Sequence, residues 1–252
     1  MRLLVTCVGI LVSDIIAGGL PKVSSPGEVT FAPLGVQLSV GGHAANVSID
    51  LIRLGLSKGE VSCTGAVGED IFGDFMIREI EKSDVVPHIE RVKHVGTSLN
   101  MILVVKGEDR RFHVAAGANS FLSAPRVLQI LRKEKPLIFY VGATGHLGKF
   151  DEQLSKVLSE AKRLGCTTLV DPIQPHGRGY EFLKDSFEWI DILHCNNVEA
   201  ESITSKTDPR EALRFLTESG VKLAIITLGE EGLLAKLGLK ALSVPAFKVD
   251  VV

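Results

Sequence analysis

Gly41-Gly42-His43-Ala44-Ala45-Asn46 and Gly65-Ala66-Val67-Gly68-Glu69-Asp70-Ile71-Phe72-Gly73 each set glycines between a β-prone run and a helical one. Paired glycines let the backbone approach a ligand closely and present its N–H groups. Asn46, in the first turn of the helix that follows, adds both a donor and an acceptor. Two such strand-to-helix junctions this close together point to an α/β fold with its ligand edge at the carboxyl ends of the strands.

The pattern outward from these junctions agrees. Val5–Val12 reads as a buried strand, Ala44–Leu54 as a helix, Val61–Ala66 as a strand and Phe72–Lys82 as a helix. From residue 137 onward strands and helices alternate. Leu137–Val141, Thr167–Val170, Ile190–Leu193 and Lys222–Leu228 are apolar runs of strand length. Phe150–Leu164 has helical spacing, a helix follows from Asn197, and Asp208-Pro209 opens another that runs to Ser219. Two β-prone excursions interrupt the alternation. One is Ile15–Val40; the other is the pair Ser98–Val105 and Arg110–Ala115, joined at Lys106–Asp109 as a hairpin. The expected fold is a doubly wound, mostly parallel sheet flanked by helices, with a small β-sheet lid. Residues 1–14, 41–95 and 119–252 form the large part, and 15–40 and 96–118 the lid.

Composition narrows the class. The chain has 252 residues, 45% of them apolar, with a formal net charge of -2. No basic run or basic-aromatic stripe argues for nucleic acid. No stretch approaches the roughly 20 apolar residues of a membrane span. Arg2 followed by Leu3–Val12 mimics a short signal peptide, but the run ends at Ser13-Asp14 and its β-branched content suits a strand. Cys7, Cys63, Cys166 and Cys195 lie in or beside apolar runs without C-x-x-C spacing, which fits buried thiols in a reducing cytoplasm.

Taken together, the two glycine stretches resemble the N-terminal signature of the ribokinase-like, phosphofructokinase-B type carbohydrate kinases. That signature is G-G-x-x-x-N, then Leu-Gly, then G-x-x-G-x-D-x-x-G. It is met by Gly41, Gly42, Asn46, Leu54-Gly55, Gly65, Gly68, Asp70 and Gly73. Gly117-Ala118-Asn119, Asn196-x-x-Glu199 and Thr227-x-Gly229-x-x-Gly232 look like further motifs of the family. The resemblance implies transfer of the γ-phosphoryl of ATP to a hydroxyl of a sugar or nucleoside. It implies Asp14, Gly41, Gly42, Asn46, Asn100 and Gly142 for substrate, and Asn196, Thr227, Gly229 and Gly232 for nucleotide. It also implies Glu199 for Mg²⁺, with a monovalent cation as a further cofactor. Phosphoryl transfer needs mostly positioning and charge neutralisation, which these residue types supply. Asn196 and Glu199 are equally ordinary helix-capping residues. In the family a D-T-T-G-A-G-D segment, whose last aspartate is the general base, follows the strand that corresponds to Leu242–Val249; it is expected beyond Val252, and Asp250 is not assigned that role. No Lys/Arg run marks a phosphorylated acceptor, which favours a neutral sugar or nucleoside; Arg110, Arg111 and Arg178 keep an anionic one open. Exposed lid strands invite a homodimer.

Two rival readings follow from the same residues. Gly142-Ala143-Thr144-Gly145-His146-Leu147-Gly148, with Asp171 ending the next strand and Tyr180-x-x-x-Lys184 beyond, mimics an NAD(P)-dependent oxidoreductase. A sugar-binding pseudokinase would keep Asp14, Gly42 and Asn46 without phosphoryl transfer.

Overall fold

The computed structural model describes residues 3–249; Met1, Arg2, Asp250, Val251 and Val252 lie outside them. In chain order the first half comprises β1 (Val5–Gly9), β2 (Val12–Leu20), β3 (Val36–Gly41), α1 (His43–Arg53), β4 (Val61–Gly68), α2 (Ile71–Lys82), β5 (Val86–Val92), β6 (Leu99–Val105), β7 (Arg111–Ala115) and α3 (Ala124–Glu134). The second half comprises β8 (Ile138–Thr144), α4 (Leu154–Arg163), β9 (Thr167–Pro172), α5 (Glu181–Lys184), β10 (Ile192–Asn196), α6 (Asn197–Thr204), α7 (Pro209–Glu218), β11 (Leu223–Thr227), β12 (Leu233–Leu237) and β13 (Lys240–Val244).

The large sheet runs β13-β12-β11-β10-β9-β8-β1-β4-β5 and the small one β3-β2-β6-β7. From β5 to β11 every pairing in the large sheet is parallel. The carboxyl ends of β1, β8, β9, β10 and β11 therefore line one edge. Apolar side chains cover both faces. Leu131, Phe139, Phe150, Leu154, Leu158 and Leu193 are buried in the main cluster, and Ala44, Ile49, Met76 and Ile80 in a second one under α1 and α2. Burial on both faces is what a near-continuous apolar strand requires.

The two β excursions meet in the small sheet, where β2 pairs with β6 in parallel and with β3 antiparallel. The first apolar run divides: β1 ends at Gly9 and β2 begins at Val12, so Asp14 and Gly41 both belong to the small sheet. Two readings need correction. Phe150–Leu164 is not one helix: Gly148–Gln153 is a 3₁₀ turn, and α4 starts only at Leu154. Leu242–Val249 is not a single strand either. β12 and β13 form an antiparallel hairpin that ends at Val244.

Candidate functional site

Asp14 lies on β2 opposite Ser39 of β3 and Asn100 of β6. Its carboxylate is pressed against the backbone of Gly41. A Cβ there would sit 2.2 Å from Asp14 Oδ2 and 2.7 Å from Cγ, so only glycine leaves the carboxylate its place. Burial raises the Asp14 pKa above the ordinary carboxylate range, and the Asn100 side chain works against that rise. Asn100 Oδ1 is itself buried without a partner. An unpaired buried acceptor costs about 1–3 kcal/mol, so it marks a place where a donor is missing. Asp14, Gly41 and Asn100 thus converge. Gly42 caps α1 at φ 90°, ψ 142°, a conformation reserved for glycine, and a Cβ there would meet Ile10 O at 2.4 Å. Asn46, one turn into α1, is exposed. It lines a groove of about 380 Å³ together with Ser39, the register partner of Asp14. Gly142 pairs with Gly9 across the large sheet, and a Cβ on it would meet His43 Cβ at 2.6 Å.

The second glycine stretch is scaffold. Asp70 caps α2 through Gly73 N at 2.8 Å and holds Thr97 N and Oγ1, both at 2.7 Å. Burial pushes the Asp70 carboxyl up, but these hydrogen bonds prevail and leave it below its ordinary range. Asn119 of the G-A-N stretch accepts from Leu11 N at 2.9 Å and donates to Leu11 O at 3.0 Å, which fixes the crossing from β1 to β2. Asp70 and Asn119 fasten the small sheet to the large one and therefore position Asp14.

Asn196 and Thr227 are register partners at the ends of β10 and β11. Two strand spacings separate β10 from β8, so Asn196 stands roughly 10 Å along the edge from Gly142. Asn196 and Glu199 form a reciprocal capping box at the start of α6: Asn196 Oδ1 accepts from Glu199 N at 2.9 Å and Glu199 Oε2 from Asn196 N at 2.8 Å. Gly229 (φ 59°) has open space where a side chain would be, whereas Gly232 is packed under Val244 O. Among the described residues no cluster of three or more His, Cys, Asp or Glu could hold a metal. A single carboxylate fits hydrated Mg²⁺ held mainly by substrate phosphates, since the cap leaves Glu199 Oε1 free. Burial raises the Glu199 pKa, which a bound cation would reverse.

Between these two halves lies a network that the sequence reading passed over. Asp171, at the end of β9, accepts from Tyr140 OH at 3.0 Å on Oδ2 and meets His194 Nδ1 at 3.0 Å on Oδ1. That hydrogen bond raises the His194 pKa. Burial lowers that of His43, against the pull of Asp171. Asp171 had a signal, as the polar end of an apolar strand; Tyr140 and His194 had none, because they meet it only through strand register.

The dinucleotide-like loop does not form a phosphate cradle. Gly145 N and Leu147 N donate to the buried carboxylate of Asp151 at 3.0 and 3.1 Å, and the loop leads into a 3₁₀ turn. Tyr180 is buried and Lys184 exposed, so they do not form a pair. Among the described residues no helix is long and apolar enough to cross a membrane.

The sequence pattern of the pfkB family carbohydrate kinases matches residues 2–252. Ribokinase of Haemophilus influenzae is 26% identical over all of this chain and 80% of its own length. Deoxyribokinase of Salmonella typhi is 26% identical over 90% of this chain and 72% of its own. Curated relatives are spanned over between 60% and 80% of their lengths. Among solved structures, ribokinase from Giardia lamblia superposes with a TM-score of 0.82 at 18% identity, over 98% of this chain and 76% of that one. Arabidopsis thaliana ribokinase, solved with ribose and ATP, gives 0.78 at 21% over 97% and 78%.

Proposed function

From the premise that the chain belongs to the pfkB family of carbohydrate kinases, we propose that it binds a sugar or nucleoside at Asp14, Gly41, Gly42, Asn46, Asn100 and Gly142 and serves ATP-dependent phosphorylation of one of its hydroxyls. The observation that carries the reading is the convergence of a half-buried carboxylate, a glycine that must be glycine, and an orphaned amide oxygen. Asp14 accepts hydrogen bonds from acceptor hydroxyls, and Asn100 Oδ1 gains the donor it lacks. Asn196, Thr227, Gly229 and Gly232 face the nucleotide. Glu199 holds Mg²⁺, which supplies charge neutralisation at the phosphates when bound. A monovalent cation belongs to the same reading.

The small sheet acts as a lid over the acceptor, with residues 15–40 and 96–118 as its body. Closure would exclude water and limit ATP hydrolysis. Val36, Leu38 and Met101 stand exposed on one face of that sheet, which supports pairing of two lids in a homodimer. The reading places the protein in the cytoplasm.

The test is incubation of the full-length gene product, since the general base is expected beyond Val252, with labelled ATP, Mg²⁺ and a panel of sugars and nucleosides, with NAD(P) reduction followed in parallel. A phosphorylated acceptor is expected. Acceptor binding without phosphoryl transfer would replace the reading with the pseudokinase; hydride transfer without phosphoryl transfer would reject it.

A further inference from the structure

A cavity of about 200 Å³ opens between the lid hinge and the loops after β8 and β9, lined by Ala116, Ser120, His146, Gly148, His176 and Arg178 among others. Ala116 directly follows β7 of the small sheet. His146 follows β8, the strand that carries Gly142, and Gly142 packs against His43, beside the glycine pair: a Cβ on it would lie 2.6 Å from His43 Cβ. The cavity is therefore a neighbour of the glycine pair.

Its lining brings one arginine together with two histidines. No lining residue is a carboxylate. The nearest acid, Asp151, is fully buried. It is occupied by Gly145 N, Leu147 N and the Arg178 guanidinium. Arg178 is held by that ion pair and by stacking on Phe182, with Cζ 4.6 Å from the ring centroid. Of its five N–H donors only one meets Asp151, and the rest of the planar fork is open to a ligand. An adjoining cavity of about 610 Å³ shares Ser120, Gly148 and Arg178 and adds Lys149, with Glu152 as its one acid. A pre-oriented arginine beside two imidazoles and a serine hydroxyl matches an oxyanion rather than a neutral hydroxyl.

We infer that this cavity receives an anionic oxyacid group, carboxylate or phosphate, carried by the acceptor, so that the substrate is a sugar acid or sugar phosphate. The inference rests on the acceptor site proposed above and departs from the sequence-based preference for a neutral sugar. The sequence showed Arg178 alone; its histidine and serine neighbours come from three separate segments.

Thermal-shift and calorimetric titrations of the chain with matched ligands test it. The panel is glucose, gluconate and glucose 6-phosphate, then ribose, ribose 5-phosphate and adenosine, with inorganic phosphate alone as control. At least one anionic sugar is expected to bind about ten-fold or more tighter than its neutral counterpart and than inorganic phosphate, the scale of one charged hydrogen bond. Gluconate against the phosphates separates carboxylate from phosphate. Arg178→Lys, which keeps a cation beside Asp151, and the exposed His176→Gln should each weaken only the anionic ligand. A neutral sugar or adenosine that binds as well, untouched by both variants, would overturn the inference and leave the proposed kinase standing. Binding of inorganic phosphate as tight as any sugar phosphate would reduce the cavity to an unspecific anion site and overturn it too. Absence of binding by every ligand would sink the acceptor site itself.

Discussion

Gly41→Ala and Gly42→Ala separate the site from the scaffold. At Gly41 the φ angle is not in the left-handed region, so alanine is sterically free as backbone. Its methyl would meet only the end of one side chain, with Asp14 Oδ2 at 2.2 Å and Cγ at 2.7 Å. Asp14 must rotate away, an off-rotamer adjustment of roughly 1 kcal/mol. The fold should survive with a melting temperature within roughly 4 °C of wild type. Acceptor affinity should fall by about ten-fold or more, because a charged hydrogen-bond partner is displaced. At Gly42, alanine would be strained at φ 90° and its methyl would lie 2.4 Å from Ile10 O, which is backbone and cannot turn aside. Strain and overpacking together amount to roughly 2–5 kcal/mol, or about 5–15 °C in a protein of this size. Circular-dichroism melts and calorimetric titration read both quantities. Unchanged acceptor affinity in a folded Gly41→Ala protein would refute the argument that this glycine exists to seat Asp14.

Three more outcomes are expected. Asn119→Ala strands the buried N–H and C=O of Leu11 and should cost roughly 2–5 kcal/mol in denaturant unfolding; a loss below about 1 kcal/mol would show that Asn119 does not pin the crossing from β1 to β2. Burial opposes ionisation of Asp191, yet hydrogen bonds from Lys162 and Lys222 win and lower its carboxyl to about 2. Its folded value is depressed, so the stabilisation is complete above the ordinary carboxylate range near pH 4 and fades as pH falls toward 2. The amount is roughly 2 kcal/mol, visible as a slope that Asp191→Asn removes. For His194 the sign is opposite. Asp171 raises its folded pKa, so that stabilisation is complete below the unfolded value near 6.5 and disappears as pH rises through the elevated one. NMR titration should show the His194 pKa falling in Asp171→Asn.

What was legible in the sequence follows from what burial writes into it. A strand covered on both faces, such as Val61–Gly68, is filled with small and apolar residues along its length, and the glycine at 42 is forced by its positive φ and the Ile10 carbonyl beside it. The β12–β13 hairpin was misread because an edge pair is half exposed and mixes Lys236 and Lys240 with leucines. α3 carried a usable start signal, Ser123 as N-cap with Pro125 in the first turn, that went unread. The 3₁₀ turn at Gly148 depends on Asp151 recruiting the preceding amides, a contact that periodicity does not encode. The same holds at the site. Gly41, Gly42, Asp14 and Arg178 could each be picked out of the sequence as candidates, whereas the Asp171 network and the cavity around Arg178 exist only once distant segments are folded together.

Calorimetric titration of the wild-type chain and of Asp14→Asn with the ligands named above addresses the proposed acceptor site most directly. The variant keeps the shape of the side chain but replaces one acceptor oxygen with an amide donor and removes the charge, at a position whose carboxylate is half buried and costly to ionise. It should melt at or slightly above the wild-type temperature and bind the preferred acceptor at least about ten-fold more weakly. Equal affinity in the two proteins would show that the small sheet does not grip the acceptor through Asp14.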